Sequence, residues 1–151
     1  MHELSDDRLK QLADVCRTLL RRSVLTLRAV PDREAAWLRG PGGNWPPALR
    51  DATESYGYDT PKVRSFHPTP RDLDRYLDVL AWLSWLQTQP MGPRDVRIIV
   101  ARARDLPIWT LAQRHGCSDE TIRRWEIHAI FAITFQFAPA IASMEDADAE
   151  G

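Results

Sequence analysis

A chain of 151 residues with 44% hydrophobic residues is sized for one domain, or a small domain with a helical extension, and carries enough apolar mass for a core. Its formal charge of −1 argues at first sight against a nucleic-acid partner. Cys16 and Cys117 fit no metal-ligand spacing and allow at most one disulfide, and the first thirty residues mix acids with bases, so the expectation is a reduced, cytoplasmic protein with no signal peptide.

The average charge hides its distribution. Glu145, Asp146, Asp148 and Glu150 fall within the last seven residues, so the 144 residues before them carry a net +3. Apart from Lys10 and Lys62 the cations are arginines, which bind phosphate and guanine bidentately. GC-rich coding would produce the same arginine excess, so charge alone does not decide the partner.

In chain order, Ser5 caps an amphipathic helix running to about residue 28. Asp6 and Asp7 sit in its first turn, where the helix dipole favours anions, and Leu9, Leu12, Val15, Leu19 and Leu20 form its apolar stripe. Val30-Pro31 ends it, and a short helical piece is expected over 33–38. Residues 40–70 are rich in Gly and Pro and predict irregular structure with a turn or two over 47–56. The aromatics of this segment, Trp45, Tyr56, Tyr58 and Phe66, are expected to pack against the helices. Thr69-Pro70 supplies an N-cap and a first-turn proline for a second long helix. There Leu73, Tyr76, Leu77, Leu80, Leu83 and Leu86 recur at helical spacing, with Trp82 and Trp85 as core or interface anchors. A third helix is expected over about 94–104, with Val96, Ile99, Val100 and Ala103 inward.

Residues 106–125, LPIWTLAQRHGCSDETIRRW, have the spacing of a helix-turn-helix. Ala112 is small where two helices touch, and Gly116 can adopt the left-handed turn. Ser118 caps the second helix, and Ile122 and Trp125 face Leu111 across the unit. If the second helix enters the major groove with its N-terminal half, Ser118, Thr121, Arg123, Arg124 and His128 are the candidate DNA-binding residues. Arg123 and Arg124 suit guanine edges or phosphates, and Gln113 and Arg114 on the preceding helix suit the flanking backbone. His128 has the plainer reading of a satisfied helix histidine. Asp119 and Glu120 oppose DNA as carboxylates beside phosphate, although they complement the helix dipole and Glu can accept from cytosine N4.

The continuation, IHAIFAITFQF over 127–137, is apolar nearly all round and needs cover. Either the N-terminal helix supplies it or a second copy does, most simply in a two-fold dimer. The apolar run over 127–142 is broken by Pro139 and holds His128 and Gln136, whereas a spanning helix needs about 20 apolar residues. No membrane association is expected. Residues after 144 read as an acidic, disordered tail. No Gly-rich phosphate loop, metal cluster or nucleophile–base pair is present, and His115 and Cys117 belong to the turn. The expectation is therefore no catalytic residue, no metal and no cofactor.

The fold expected is all-α: an N-terminal helix and irregular packing segment (1–68), a helical bundle ending in a helix-turn-helix (69–138), and an acidic disordered tail (139–151). Residues 94–125, RDVRIIVARARDLPIWTLAQRHGCSDETIRRW, resemble the helix-turn-helix of sigma-factor region 4. More closely, the chain resembles a family of short, uncharacterised phage and prophage proteins of proteobacteria. Those proteins pair such a unit with an N-terminal Trp-Pro and a Tyr-Gly-Tyr-like element, here Trp45-Pro46 and Tyr56-Gly57-Tyr58. The Trp-rich helix segment over 81–86 fits as well. The resemblance covers most of residues 1–137 and implies a mobile-element setting and contact with double-stranded DNA, but no activity. Asp119-Glu120 and the long apolar continuation depart from the family pattern. A transcription regulator, a small terminase-like DNA-packaging subunit and an interaction or scaffold subunit that binds a phage or host protein all remain open.

Overall fold

The computed structural model describes residues 4–29 and 66–150. The expectations for 33–38 and for the Gly/Pro-rich stretch up to residue 65, with Trp45, Tyr56 and Tyr58, lie outside the described residues. Among the described residues there are six helices and no strand, so the fold is all-α.

Helix α1, Asp6–Ala29, begins at the cap that Ser5 is expected to form: the Ser5 hydroxyl accepts from the Arg8 amide at 3.1 Å. Leu12, Cys16, Leu19, Leu20, Val24 and Leu27 are buried along it, while Leu9 and Val15 lie at the margin of the stripe. Helix α2, Pro70–Gln87, opens with a full capping box. Thr69 Oγ1 accepts from the Asp72 amide, and the Asp72 carboxylate accepts from the Thr69 amide at 2.9 Å. Leu73 and Leu77, expected inward, are 49% and 48% exposed. The buried stripe is rotated toward Val79 and Trp82, which join Tyr76, Leu80, Leu83 and Leu86 and displace the two leucines to the flank.

Helix α3, Gly92–Ala103, buries Val96, Ile99, Val100 and Ala103 as expected, together with Ile98 and Ala101. A short helix α4, Ile108–His115, and a long helix α5, Asp119–Gln136, follow on either side of a tight turn. α1 lies against α2, α3 and α5, α3 packs on α5, and α4 rests on α5. One apolar core runs through all of them, including Leu20, Leu83, Ile98, Leu111, Ile122 and Ile133. Among the described residues α1 shares this core with the helices that follow it.

The last segment corrects an expectation. Residues 139–150, expected to belong to a disordered tail over 139–151, lie in a sixth helix, α6, Ala138–Glu150, set at 87° to α5. Pro139, which stops α5 from continuing, falls in the first turn of α6, where its missing N–H has no intrahelical partner to lose. Ala138 and Ile141 are buried, and ion pairs to α1 and α2 hold the acidic end.

The apolar continuation is covered mostly from within the chain. Ala129, Ile130 and Ile133 face the core, and Phe137 stacks on Trp82 (5.5 Å between centroids, 16° between planes) with Trp85 edge-on at 5.5 Å. Ile127 and Phe135 stay outside, at 47% and 74% exposure. Among the described residues no single helix is long and apolar enough to cross a membrane.

Two glycines separate two kinds of constraint. Gly116 has φ +64°, with nothing within 4 Å of an added Cβ, so only backbone conformation demands glycine there. At Gly92 an added Cβ would stand 2.2 Å from the Leu86 carbonyl oxygen. Gly116→Ala is expected to cost about 1–2 kcal/mol. Gly92→Ala is expected to cost more, about 3 kcal/mol, because backbone must move. Urea denaturation of both variants measures the order, and a larger loss at Gly116 would contradict it.

Candidate nucleic-acid interface

The turn between α4 and α5 is built by local hydrogen bonding. The Cys117 amide donates back to the Ala112 carbonyl at 3.0 Å and the Gly116 amide to the Gln113 carbonyl at 3.3 Å, closing α4 in a Schellman arrangement around left-handed Gly116. Ser118 then caps α5, its hydroxyl accepting from the Thr121 amide at 3.2 Å and lying 2.9 Å from the Thr121 hydroxyl. Leu111, Ala112 and Ile122 are buried where the two helices meet.

The inward side of α5 is fixed by Glu126, which is 6% exposed. Its carboxylate accepts from Arg17 of α1 on one oxygen and from Arg102 Nε of α3, at 2.9 Å, on the other. Arg102 also donates to the Leu106 carbonyl at 2.9 Å, tying the α3–α4 connection to the same carboxylate. With Ile122, Glu126, Ala129, Ile130 and Ile133 inward, the opposite side of α5 faces out.

Of the residues expected to meet DNA, Gln113, Arg114, Ser118, Arg123, Arg124 and His128 are exposed, and Thr121 is half-exposed. Ser118 and Thr121 already use part of their hydroxyl capacity on each other and on the cap. Asp119 and Glu120 are exposed in the first turn of α5, as their dipole-complementing position requires. Arg8, Arg17, Arg21, Arg22, Arg71, Arg75, Arg94 and Arg102 each stand within ion-pair distance of a carboxylate. Among the described residues Arg123 and Arg124 have no such partner.

Trp125, expected inward beside Ile122, is only half-buried. The Arg94 guanidinium lies over its ring at 4.0 Å from the centroid, and the His115 ring meets it edge-on at 6.0 Å. Helical spacing alone puts Arg94 at the start of a separate helix and gives it no part in the site. Burial, with Arg97 and Arg94 nearby, holds His115 below the usual imidazole range. Asp95, buried beneath, is pushed up by desolvation against the opposing pull of Arg94. Cations from α3 thus sit beside the α4–α5 turn. The available signal is Arg94 and Arg97, three apart in the first turns of α3, which puts them on one side of that helix.

Residues 28–133 match the family model described as Domain of unknown function (DUF6362), and the chain belongs to that family. No curated protein matches the chain, and no solved structure does. The matched span takes in α2 to α4 and most of α5, including every candidate DNA-binding residue, and ends before α6.

Removing the Glu126 carboxylate leaves two guanidinium groups facing a gap. Glu126→Ala is expected to lower stability by about 1.5–3 kcal/mol, the range for hydrogen bonds to charged groups. The loss should shrink when Arg17→Ala and Arg102→Ala are already present. A double-mutant cycle followed by thermal unfolding measures this coupling, and strict additivity would show the three groups to be independent.

Proposed function

We propose that α4 and α5 form a DNA-binding helix-turn-helix and that the protein is a non-enzymatic regulator of transcription from a phage or integrated element, acting in the cytoplasm. One observation carries this reading. Among the described residues eight arginines stand against carboxylates, whereas Arg123 and Arg124 stand exposed on the first turns of the helix that such a unit would insert in the major groove. Gln113 and Arg114 on α4 flank them for backbone contacts, and His128 extends the outward side. Arg123→Ala with Arg124→Ala is expected to weaken binding to duplex DNA without lowering thermal stability. The slope of log affinity against log salt should fall by about 0.9 for each phosphate that is no longer neutralised. Mobility-shift assays over a salt series measure both, and parent-like binding by the double variant would remove the assignment.

A second reading makes the chain an oligomeric interaction subunit that does not touch DNA. Exposed Asp119 and Glu120 favour it, as do Ile127 and Phe135, two large apolar side chains left open along α5. Both readings include self-association, most simply a dimer, placed at the Phe135 end of α5, away from Arg123 and Arg124. Phe135→Glu is expected to halve the mass measured by light scattering without loss of helix content. A parent already monomeric at high concentration would end the proposal of self-association, and a closed ring of many copies would move the role to DNA packaging.

A further inference from the structure

The acidic end of the chain and a group of arginines far from it in sequence neutralise one another. Glu145 Oε1 accepts from Arg8 of α1 at 2.8 Å. Asp148 accepts from Arg71 at 2.7 Å and lies 3.0 Å from Arg75, one turn further along α2. Arg75 also donates to the Met144 carbonyl at 3.2 Å. A cleft of about 430 Å³ runs between α1, α2 and α6, and Arg71, Arg75, Glu145 and Asp148 all line it.

Ala140, Ala142 and Met144 pack, partly buried, against the core, and beyond Met144 what holds α6 in place is electrostatic. Its only buried residues are Ala138 and Ile141, both in its first turn. Its acids crowd the C-terminal half, where the helix dipole is already negative, and its last turn has no basic residue. A helix of 13 residues with that charge pattern gains little from its own sequence, so residues beyond Met144 depend on the arginines. The ion pairs are themselves partly exposed, with Asp148 at 47%, and pairs of that kind are each worth little and weaken in salt.

We propose that Arg8, Arg71 and Arg75 form a second surface for the phosphate backbone of duplex DNA, and that Glu145 and Asp148 occupy it as an intrachain competitor. The proposal rests on the reading of the protein as DNA-binding. The carboxylates stand where phosphate oxygens would: one accepts from a single guanidinium, the other from two a helical turn apart. Nucleic acid displaces the end of α6 while Ile141 keeps the start of the helix anchored. The net +3 of residues 1–144 is therefore masked by the chain's own last residues until a polyanion competes for it.

The test compares four full-length proteins in a salt series with one duplex: parent, Glu145→Gln/Asp148→Asn, that pair combined with Arg71→Gln/Arg75→Gln, and Arg123→Ala/Arg124→Ala. Hydrogen exchange over 142–150 is followed alongside. The neutralised pair is expected to exchange faster at that end, to bind several-fold more tightly near 0.1 M salt, and to show a salt slope steeper by about 0.9 per arginine released. Adding Arg71→Gln/Arg75→Gln should abolish the gain. Unchanged affinity and slope in a neutralised pair whose α6 end has been freed overturns the competitor. An α6 end that does not loosen overturns its electrostatic attachment, and the competitor with it. In both cases loss of binding in Arg123→Ala/Arg124→Ala leaves the helix-turn-helix standing. Binding by the neutralised pair alone keeps the competitor and removes the helix-turn-helix reading; binding by none of the four at low salt removes both. A chain ending at Ser143 repeats the comparison if the neutralised pair fails to fold.

Discussion

A carboxylate buried in a helical bundle is tolerable only where cations meet it, and Glu126 is met by two. Its position settles the rotation of α5. Once that side chain is directed between Arg17 and Arg102, Ile122, Ile130 and Ile133 fall into the core and Arg123 and Arg124 fall outside it. The same interaction joins α1, α3 and α5, and through Arg102 and the Leu106 carbonyl it reaches the entrance of α4. The orientation of the outward-facing arginines is thus a consequence of an ion-pair cluster on the opposite side of the helix.

α1 plays a comparable part for the whole bundle. Its arginines reach different partners in turn: Arg8 to α6, Arg17 to α5, Arg21 to Asp105 in the α3–α4 connection, and Arg22 bidentately to Asp72 at the head of α2. Asp72 is at once a capping residue and an ion-pair partner, and the guanidinium, with the Thr69 cap, holds its carboxyl below the usual range. Asp105 takes a left-handed backbone conformation, φ +64°, with Arg21 gripping both carboxylate oxygens. Apolar burial on one side of α1 supplies adhesion, and the arginines beside it set register.

Much of this is legible from residue order because the signals are local. Ser5, Thr69-Pro70, Gly116 and Ser118 mark helix ends through interactions within four residues of themselves, and each marks an observed end. The stripe of α2 is misjudged at Leu73 and Leu77, because periodicity gives a helix a side without saying which neighbour will define its centre. The end of the chain is misjudged for a related reason. Acidic composition suggests solvation, and only the placement of Arg8, Arg71 and Arg75 opposite Glu145 and Asp148 gives those acids a reason to be ordered. At the candidate site the outward residues can be read from helical spacing. Arg94 over Trp125 cannot, since nothing in one helix announces what another will lay across it.

The reach of α1 has a consequence for the order in which the chain assembles. Arg17 and Glu126 are separated by 109 positions, and the apolar side of α1 finds its cover on α2, α3 and α5. On the ribosome α1 emerges before the helices it packs on, and the surface against which it docks is complete only when α5 has been made. The later helices, linked by short connections, can assemble among themselves quickly, whereas docking α1 joins residues 109 positions apart and comes late. Until then Leu12, Cys16, Leu20 and Val24 stand open to water on a nascent helix, a stretch suited to capture by a chaperone.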